Sequence, residues 1–342
     1  MKNIAITGGG TGGHLTIAKA IKEELNKLGL KPIFIGSQNG QDKLWFEDDE
    51  GFSQKYFFST GGVVNKGFVG KITSLLNILK YTLKCKYIFK KHNIDAVFSV
   101  GGYSAAPASF ASILFKKPLY IHEQNAIVGN LNKLLKPRAK AFFSSYHDDS
   151  ALKAYPIRDI YFQNARVRNT IKTIIFLGGS QGATAINNFA MQIAPLLKEK
   201  GINIIHQSGK RDYEKLKKFY HDNNIEVELF DFTKNLEDKI KQADFAVSRS
   251  GASTMWELVA SLLPALFIPY PYAANDHQYH NALFLKEKGL CFLKRENELD
   301  PSIINEILDT DISKISLELN NQIQQGGAKK IVDFMMQKSY LN

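Results

Sequence analysis

Short, nearly unbroken apolar runs alternate along this chain with longer segments whose apolar residues recur every three or four positions. In the first half the runs lie at Ile4 to Thr7, Pro32 to Gly36, Ala96 to Val100, Leu119 to His122 and Ala141 to Ser144. Runs this short and apolar predict strands covered on both faces. The segments between them predict helices, beginning with an amphipathic one over Leu15 to Leu28. A polar, weakly patterned stretch from about Tyr155 to Thr170 interrupts the alternation. It restarts at "TIIFLGGSQGATAINNFA", with strands expected at Ile204 to His206, Val227 to Phe230, Phe245 to Ser248, Ala265 to Ile268 and Leu290 to Leu293. The pattern predicts two similar α/β halves, each a parallel sheet clothed in helices.

The opening "NIAITGGGTGGHLTIAKAI" places five glycines and His14 between the first strand and the first helix. Glycines let the chain turn tightly there. The helix N-terminus behind them offers unpaired N–H groups and a positive dipole end to an anion. The spacing is neither the dinucleotide GxGxxG nor a Walker loop, which argues against NAD and ATP. A tight turn with no ligand is the plainer reading of the same residues. "GGSQG" after the first strand of the second half repeats the arrangement. In open parallel sheets ligands bind at the carboxyl ends of strands, so each half is expected to present a glycine loop to a cleft between the halves. Two such loops suit an enzyme gripping two substrates better than a one-ligand binding module.

Composition narrows the setting. With 342 residues and 44% hydrophobic content the chain exceeds the size at which one core usually stops growing. Cys85 and Cys291 are its two cysteines, far apart in sequence, which argues against a disulfide scaffold or cysteine metal cluster and suits a reducing compartment. No stretch reads as a signal peptide or spanning helix, so a soluble cytoplasmic protein is expected. A formal charge of +11 points to an anionic partner. Nucleic acid is one such class, but the basic residues form no compact RNP-like, zinc-finger or helix-turn-helix pattern. An acidic membrane surface is the other.

Six motifs then occur in order along nearly the whole chain: "GGGTGGH", "GGYSAAP" at Gly101 to Pro107, "HEQNAIVGN" at His122 to Asn130, "GGSQG" at Gly178 to Gly182, "HQSGK" at His206 to Lys210 and "SRSGASTMWE" at Ser248 to Glu257. Together they resemble the MurG family of bacterial peptidoglycan glycosyltransferases. The resemblance implies two Rossmann-like domains in the GT-B arrangement, over 1–157 and 158–320, with a terminal helix in 321–342 returning to the first. It implies inverting transfer of N-acetylglucosamine from UDP-N-acetylglucosamine to the C4 hydroxyl of MurNAc in lipid I, forming lipid II for cell-wall synthesis. It also implies no cofactor and no bound metal, and the acidic residues form no compelling ligand set. A GT-B enzyme using another nucleotide sugar or lipid acceptor is the alternative within that architecture. The implied place of work is the cytoplasmic face of the inner membrane, among cell-wall synthesis proteins.

Carried over by position, the resemblance assigns donor contacts to Thr11, Gly12, Gly13, Asn125, Arg158, Ser180 and Thr233. Further donor contacts fall on Ala252, Ser253, Thr254, Met255, Trp256 and Glu257, and on His277, Gln278 and Asn281. Gly8, Gly9, Gly10, Gly101, Gly102 and Tyr103 fall to the acceptor. Arginine and a helix-end hydroxyl, here Arg158 and Ser180, are suited to stabilising charge on departing UDP. Glu257 has two carboxylate oxygens to accept from ribose hydroxyls. His277 stands where some relatives carry glutamine, and "FTKNL" around Thr233 departs from the usual "FIDDM"-like pattern, which leaves a backbone contact to uracil there. His14 is the candidate general base, imidazole being suited to proton transfer near neutral pH, although a glycine loop would equally let it bind phosphate. His122 and Glu123 are read as holding Asn125 through hydrogen bonds. His206 either orients a loop or touches substrate.

Membrane contact is read from "GFVGKITSLLNILKYTLKCKYIFKKH". Phe68, Ile72, Leu75, Leu76, Leu79, Leu83 and Tyr87 recur with helical spacing, amid Lys71, Lys80, Lys84, Lys86, Lys90 and Lys91. Such a stripe is either core-facing or a peripheral docking face for anionic lipid.

Overall fold

The computed structural model describes residues 1–62, 67–179, 182–233 and 235–337, without the side chain of Phe68. The chain forms two compact units, one of Met1–Ile157 with Gly326–Asn342 and the other of Arg158–Gln325.

In the first unit β1 (Ile4–Thr7), β2 (Ile33–Ser37), β3 (Gln54–Phe58), β4 (Ala96–Ser99), β5 (Leu119–His122) and β6 (Ala141–Phe143) form a parallel sheet in the order β3-β2-β1-β4-β5-β6. Between them run α1 (Gly12–Lys27), α2 (Asp42–Phe46), α3 (Phe68–Lys91), α4 (Ala106–Leu114) and α5 (Asn130–Leu135). All residues of β1, β2, β4, β5 and β6 are buried. This is why they read as continuous apolar runs. The strand β3 does not read so, because it lies at the sheet edge and opens with an exposed Gln54.

The second unit repeats the plan with β7 (Thr173–Leu177), β8 (Asn203–Gln207), β9 (Glu228–Phe230), β10 (Phe245–Ser248), β11 (Ala265–Phe267) and β12 (Phe292–Leu293), all parallel, in the order β12-β11-β10-β7-β8-β9. Its helices are α6 (Asp159–Gln163), α7 (Thr184–Glu199), α8 (Tyr213–Asp222), α9 (Leu236–Gln242), α10 (Ala252–Ala260), α11 (His277–Lys286), α12 (Ile303–Asp309) and α13 (Ile312–Leu319). The last helix, α14 (Gly327–Gln337), belongs to the first unit and packs against α1. Gly327 rests directly on the Tyr155 backbone, where a Cβ would collide with it.

Each sheet reverses its strand order once, between β1 and β4 in the first and between β7 and β10 in the second. Loops leaving two neighbouring strands in opposite directions open a crevice at that point, the usual ligand position in a doubly wound sheet. The glycine loop after β1 meets the loop after β4 there. The glycine turn after β7 and the Arg249–Gly251 turn after β10 hold the same place in the second unit.

Helix α3 has apolar residues on two sides. Cys85, Ile88 and Phe89 face the core, whereas Ile72, Leu75, Leu76, Leu79, Leu83 and Tyr87 face outward, with Leu76 61% and Tyr87 69% exposed. The outward stripe is therefore not core. No helix among the described residues is long and apolar enough to cross a membrane.

Candidate active site

In the first unit the loop after β1 and the loop after β4 close on each other. The Gly9 amide donates to the Gly101 carbonyl at 3.2 Å, and a Cβ on Gly102, whose φ is +78°, would strike the Gly9 carbonyl. The Tyr103 ring lies 2.6 Å from where Gly10 would carry a Cβ. These glycines are required by close approach of two backbones, and the structure brings together Gly8, Gly9, Gly10, Gly101, Gly102 and Tyr103. The amides of Gly9 and Gly10 are already engaged by protein acceptors, so those residues shape the loop rather than donate to a ligand.

His14 stands in the first turn of α1, half-buried, with Nδ1 2.9 Å from Thr11 Oγ1 and Nε2 3.4 Å from the Cβ position of Gly101. If Nδ1 carries the proton and donates to Thr11, Nε2 is left as an acceptor, the form a general base requires. Two glycine loops and an oriented imidazole thus share the crevice at the strand-order reversal.

Glu123, the residue that follows β5, supports the same crevice. Its buried carboxylate accepts from the amides of Asn125 (3.0 Å) and Gly129 (2.9 Å) and from Asn132 Nδ2 (2.9 Å), fixing the turn that carries Asn125. Asn132 in turn lies 3.1 Å from the Cβ position of Gly101, which joins the Asn125 turn to the His14 crevice. His122 is fully buried, and burial pushes its pKa down to about 3, so it sits neutral in the core against Tyr155.

In the second unit Arg158, at the start of α6, reaches α9. Its Nη2 donates to Glu237 at 2.8 Å and its Nη1 at 3.4 Å, and its guanidinium lies 5.3 Å from the Tyr161 ring. Burial opposes the Arg158 charge, but the hydrogen bonds to Glu237 and Tyr161 outweigh it and raise the pKa. Glu257, on α10, completes the cluster. Burial pushes its carboxyl up to about 7, a shift that Arg158 opposes and the Glu237 charge favours. The sequence motifs mark Arg158 and Glu257 separately. Glu237 and Tyr161, which link them, were missed because no local motif marks them.

Other assigned residues divide by burial. Ala252, Met255 and Trp256 point into the core, so any donor contact there is made by the α10 backbone. Ser253 and Thr254 are half-buried in its first turn. Asn281 is fully buried and donates to the Ser250 carbonyl at 3.2 Å, which makes it a brace for the β10 turn rather than a reader of sugar hydroxyls. Gln278 accepts from the Tyr270 amide at 3.0 Å, and His277 Nδ1 lies 2.8 Å from the Ala274 carbonyl, so both organise the loop before α11. Thr233 accepts from the Asn235 amide at 3.1 Å at the entrance to α9. Ser180 lies outside the described residues.

His206 is a structural residue. It is fully buried between Tyr220 Oη (2.8 Å) and Asn187 Oδ1 (2.9 Å), with its pKa pushed down to about 3 by burial, and Asn187 also holds the Ser208 carbonyl. Among the described residues no group of three or more His, Cys, Asp or Glu side chains is placed to hold a metal ion.

Residues 4–144 match the glycosyltransferase family 28 N-terminal domain and 173–335 its C-terminal domain. The chain belongs to glycosyltransferase family 28, and within it to the MurG transferases. A Wolinella succinogenes relative is 52% identical over 98% of this chain and 99% of its own length. It is named UDP-N-acetylglucosamine--N-acetylmuramyl-(pentapeptide) pyrophosphoryl-undecaprenol N-acetylglucosamine transferase. A Campylobacter jejuni relative of the same name is 52% identical over 98% of this chain and 97% of its own. The crystal structure of Acinetobacter baumannii MurG superposes with a TM-score of 0.82 at 26% identity, covering 98% of this chain and 100% of the other. The two sheets described above are the two α/β domains of the family's GT-B fold.

The raised pKa of Glu257 makes a prediction about the donor. If, as the resemblance implies, ribose hydroxyls donate to this carboxyl, they favour its ionised form, and binding draws a proton off a group that is half protonated near pH 7. UDP-N-acetylglucosamine affinity should rise with pH through about 7, approaching tenfold per pH unit on the acid side. Calorimetry should register proton release at pH 6 that largely vanishes by pH 8, and Glu257→Gln should abolish both effects. A flat affinity with no proton exchange in the parent would contradict the ribose assignment.

Proposed function

We propose a division of labour between the two units for the family's reaction. The chain transfers N-acetylglucosamine from UDP-N-acetylglucosamine to the C4 hydroxyl of MurNAc in undecaprenyl-diphosphate-MurNAc-pentapeptide, forming lipid II and UDP in peptidoglycan synthesis. The first unit receives the lipid-linked acceptor at the crevice between the β1 and β4 loops. The second receives the nucleotide sugar through Arg158, the first turn of α10 and Glu257. The observation that carries this reading is that an oriented imidazole lies at the strand-order reversal of one unit, while in the other an arginine and a partly buried carboxyl meet against α10, the helix that leaves its own.

His14 Nε2 takes the proton of the acceptor C4 hydroxyl as the oxygen attacks the anomeric carbon. The bond from that carbon to the diphosphate breaks with its electron pair leaving on UDP, and attack from the opposite face inverts the centre. Arg158 and the positive end of α10 stabilise the negative charge on departing UDP. This use of Arg158 requires it to give up Glu237 for the diphosphate, an exchange of one anion for another.

The outward stripe of α3 supports peripheral docking on an anionic membrane at the cytoplasmic face, where the lipid-linked acceptor resides. Ile72, Leu75, Leu76, Leu79, Leu83 and Tyr87 supply apolar area, and the neighbouring lysines supply attraction to anionic head groups. A triple variant, Leu76→Ser with Leu79→Ser and Leu83→Ser, should bind anionic vesicles at least tenfold more weakly, roughly what losing part of three leucine burials implies. Raised salt should weaken parent binding. Transfer to a soluble short-chain acceptor should be retained. Parent-like vesicle binding by the triple variant would end this reading of α3.

A further inference from the structure

Asp42 is fully buried at the start of α2, and it belongs to none of the motifs that mark the family in this chain. Its two oxygens meet backbone amides from two different loops. Oδ1 accepts from Gly10 at 2.5 Å, and Oδ2 accepts from Ser37 at 2.8 Å. The surroundings are cleared of side chains to admit it. A Cβ on Gly9 would lie 2.5 Å from Oδ1 and one on Gly36 2.8 Å from Oδ2. On the far side of Gly10 the ring of Tyr103 closes the stack, and the Tyr103 hydroxyl donates to the Asn39 carbonyl three residues before Asp42. The glycine loop is therefore clamped between a carboxylate behind it and an aromatic ring in front.

The geometry points to Asp42 as a positioning residue for transfer. By accepting the Gly10 and Ser37 amides it fixes the loop from Gly8 to Thr11 and, through it, the place of His14 and of the acceptor. A buried carboxylate is suited to this because it presents acceptors on both sides, and charge-assisted hydrogen bonds to N–H groups are short and strong. The inference goes beyond the roles given to the loop residues themselves, and it rests on the assignment of His14 and the β1 loop to the acceptor side.

Two substitutions separate acceptor chemistry from space filling. Asp42→Asn keeps the shape but must turn an NH2 against one of the two amides, a donor facing a donor. Asp42→Ala opens a space about the size of one water, which can accept from both amides. If the carboxylate acts by accepting, Asn is the more harmful change, with kcat/KM for the acceptor falling on the order of a hundredfold, as misplacement by about an ångström does. Alanine should lose less, and UDP affinity should stay within twofold in both. A space-filling role gives the opposite order, with Asn harmless and Ala damaged, and would overturn the inference. So would loss of donor affinity and melting temperature in step with activity, which marks a general folding defect. Asp42→Asn introduced beside His14→Ala should cost several-fold less than it costs the parent, because a misplaced loop harms little once the base is gone. Full multiplication of the two losses would sever Asp42 from His14. The His14 assignment stands or falls on His14→Ala alone, so the two failures are distinguishable.

Discussion

Single-turnover transfer by His14→Ala is expected to fall on the order of a hundredfold or more, while each substrate still binds within a few-fold of the parent. The reason lies in what the first turn of α1 holds. Thr11 engages Nδ1, Gly101 leaves room beside Nε2, and the loops that carry these residues are tied to each other through Gly9 and Gly101. Removing the imidazole leaves that backbone intact but takes away the proton acceptor at the moment the C4 hydroxyl becomes a nucleophile. The loss should therefore appear in the chemical step. A phosphate-binding role would instead weaken substrate affinity and leave the bound rate near that of the parent. Direct binding and single-turnover rates, measured across pH on protein with unchanged circular dichroism and melting, distinguish the two. Parent-like transfer by the variant would eliminate the base.

Arg168→Met is expected to produce the largest loss of stability. Arg168 is 0% exposed and has no carboxylate partner among its hydrogen bonds. Its guanidinium donates instead to carbonyls of Arg166 (2.6 Å), Ala243 (3.2 Å), Ile240 (3.3 Å) and Ser261, gathering the ends of α9 and α10. Burial and then the nearby Arg166 charge push its pKa down, which measures how strongly this interior opposes the cation. Methionine fills the space but strands several buried carbonyls, each costing roughly 1 to 3 kcal/mol, against which relief of the guanidinium's own desolvation is set. A net loss of about 3 kcal/mol follows, or roughly 6 to 12 °C in the melting of a domain this size. Lysine should rescue little, because one ammonium cannot span the donors of a planar fork. Thermal unfolding checks this, and a variant melting with the parent would refute it. Since α9 carries Glu237 and α10 carries Glu257, the donor cluster should loosen as well.

The parallel sheets were legible because their cause is local. A strand buried on both faces is an unbroken apolar run, and β1, β2, β4, β5, β7 and β10 have only buried or nearly buried residues. Edge strand β3 escaped, since "QKYFF" begins with two polar residues, the first of them exposed, and only Phe58 is fully covered. The glycine loops were equally visible, because a turn that two backbones approach closely admits no Cβ. Helical spacing in α3 marked an apolar stripe but carried no sign of which way it points. Only packing separated Cys85, Ile88 and Phe89 from Leu76, Leu79 and Leu83, which share one helix and one hydrophobicity.

The chemistry divides along the same line. His14, Arg158 and Glu257 stand in stretches whose residue order is distinctive, so sequence could nominate them. What holds them could not be nominated, because a partner distant in sequence leaves no pattern near the residue it serves. Glu237 comes 79 residues after Arg158, and Asp42 comes 32 after Gly10. Burial likewise decided what residue type suggested or left open. Asn281 and His206 have side chains fit for a substrate, yet each is enclosed and spends its hydrogen bonds on protein groups. Composition, periodicity and motif order determined the two sheets, the two glycine loops and the family. Which polar groups face a ligand and which face the core was decided only by the tertiary structure, because enclosure depends on what the rest of the chain places around a side chain.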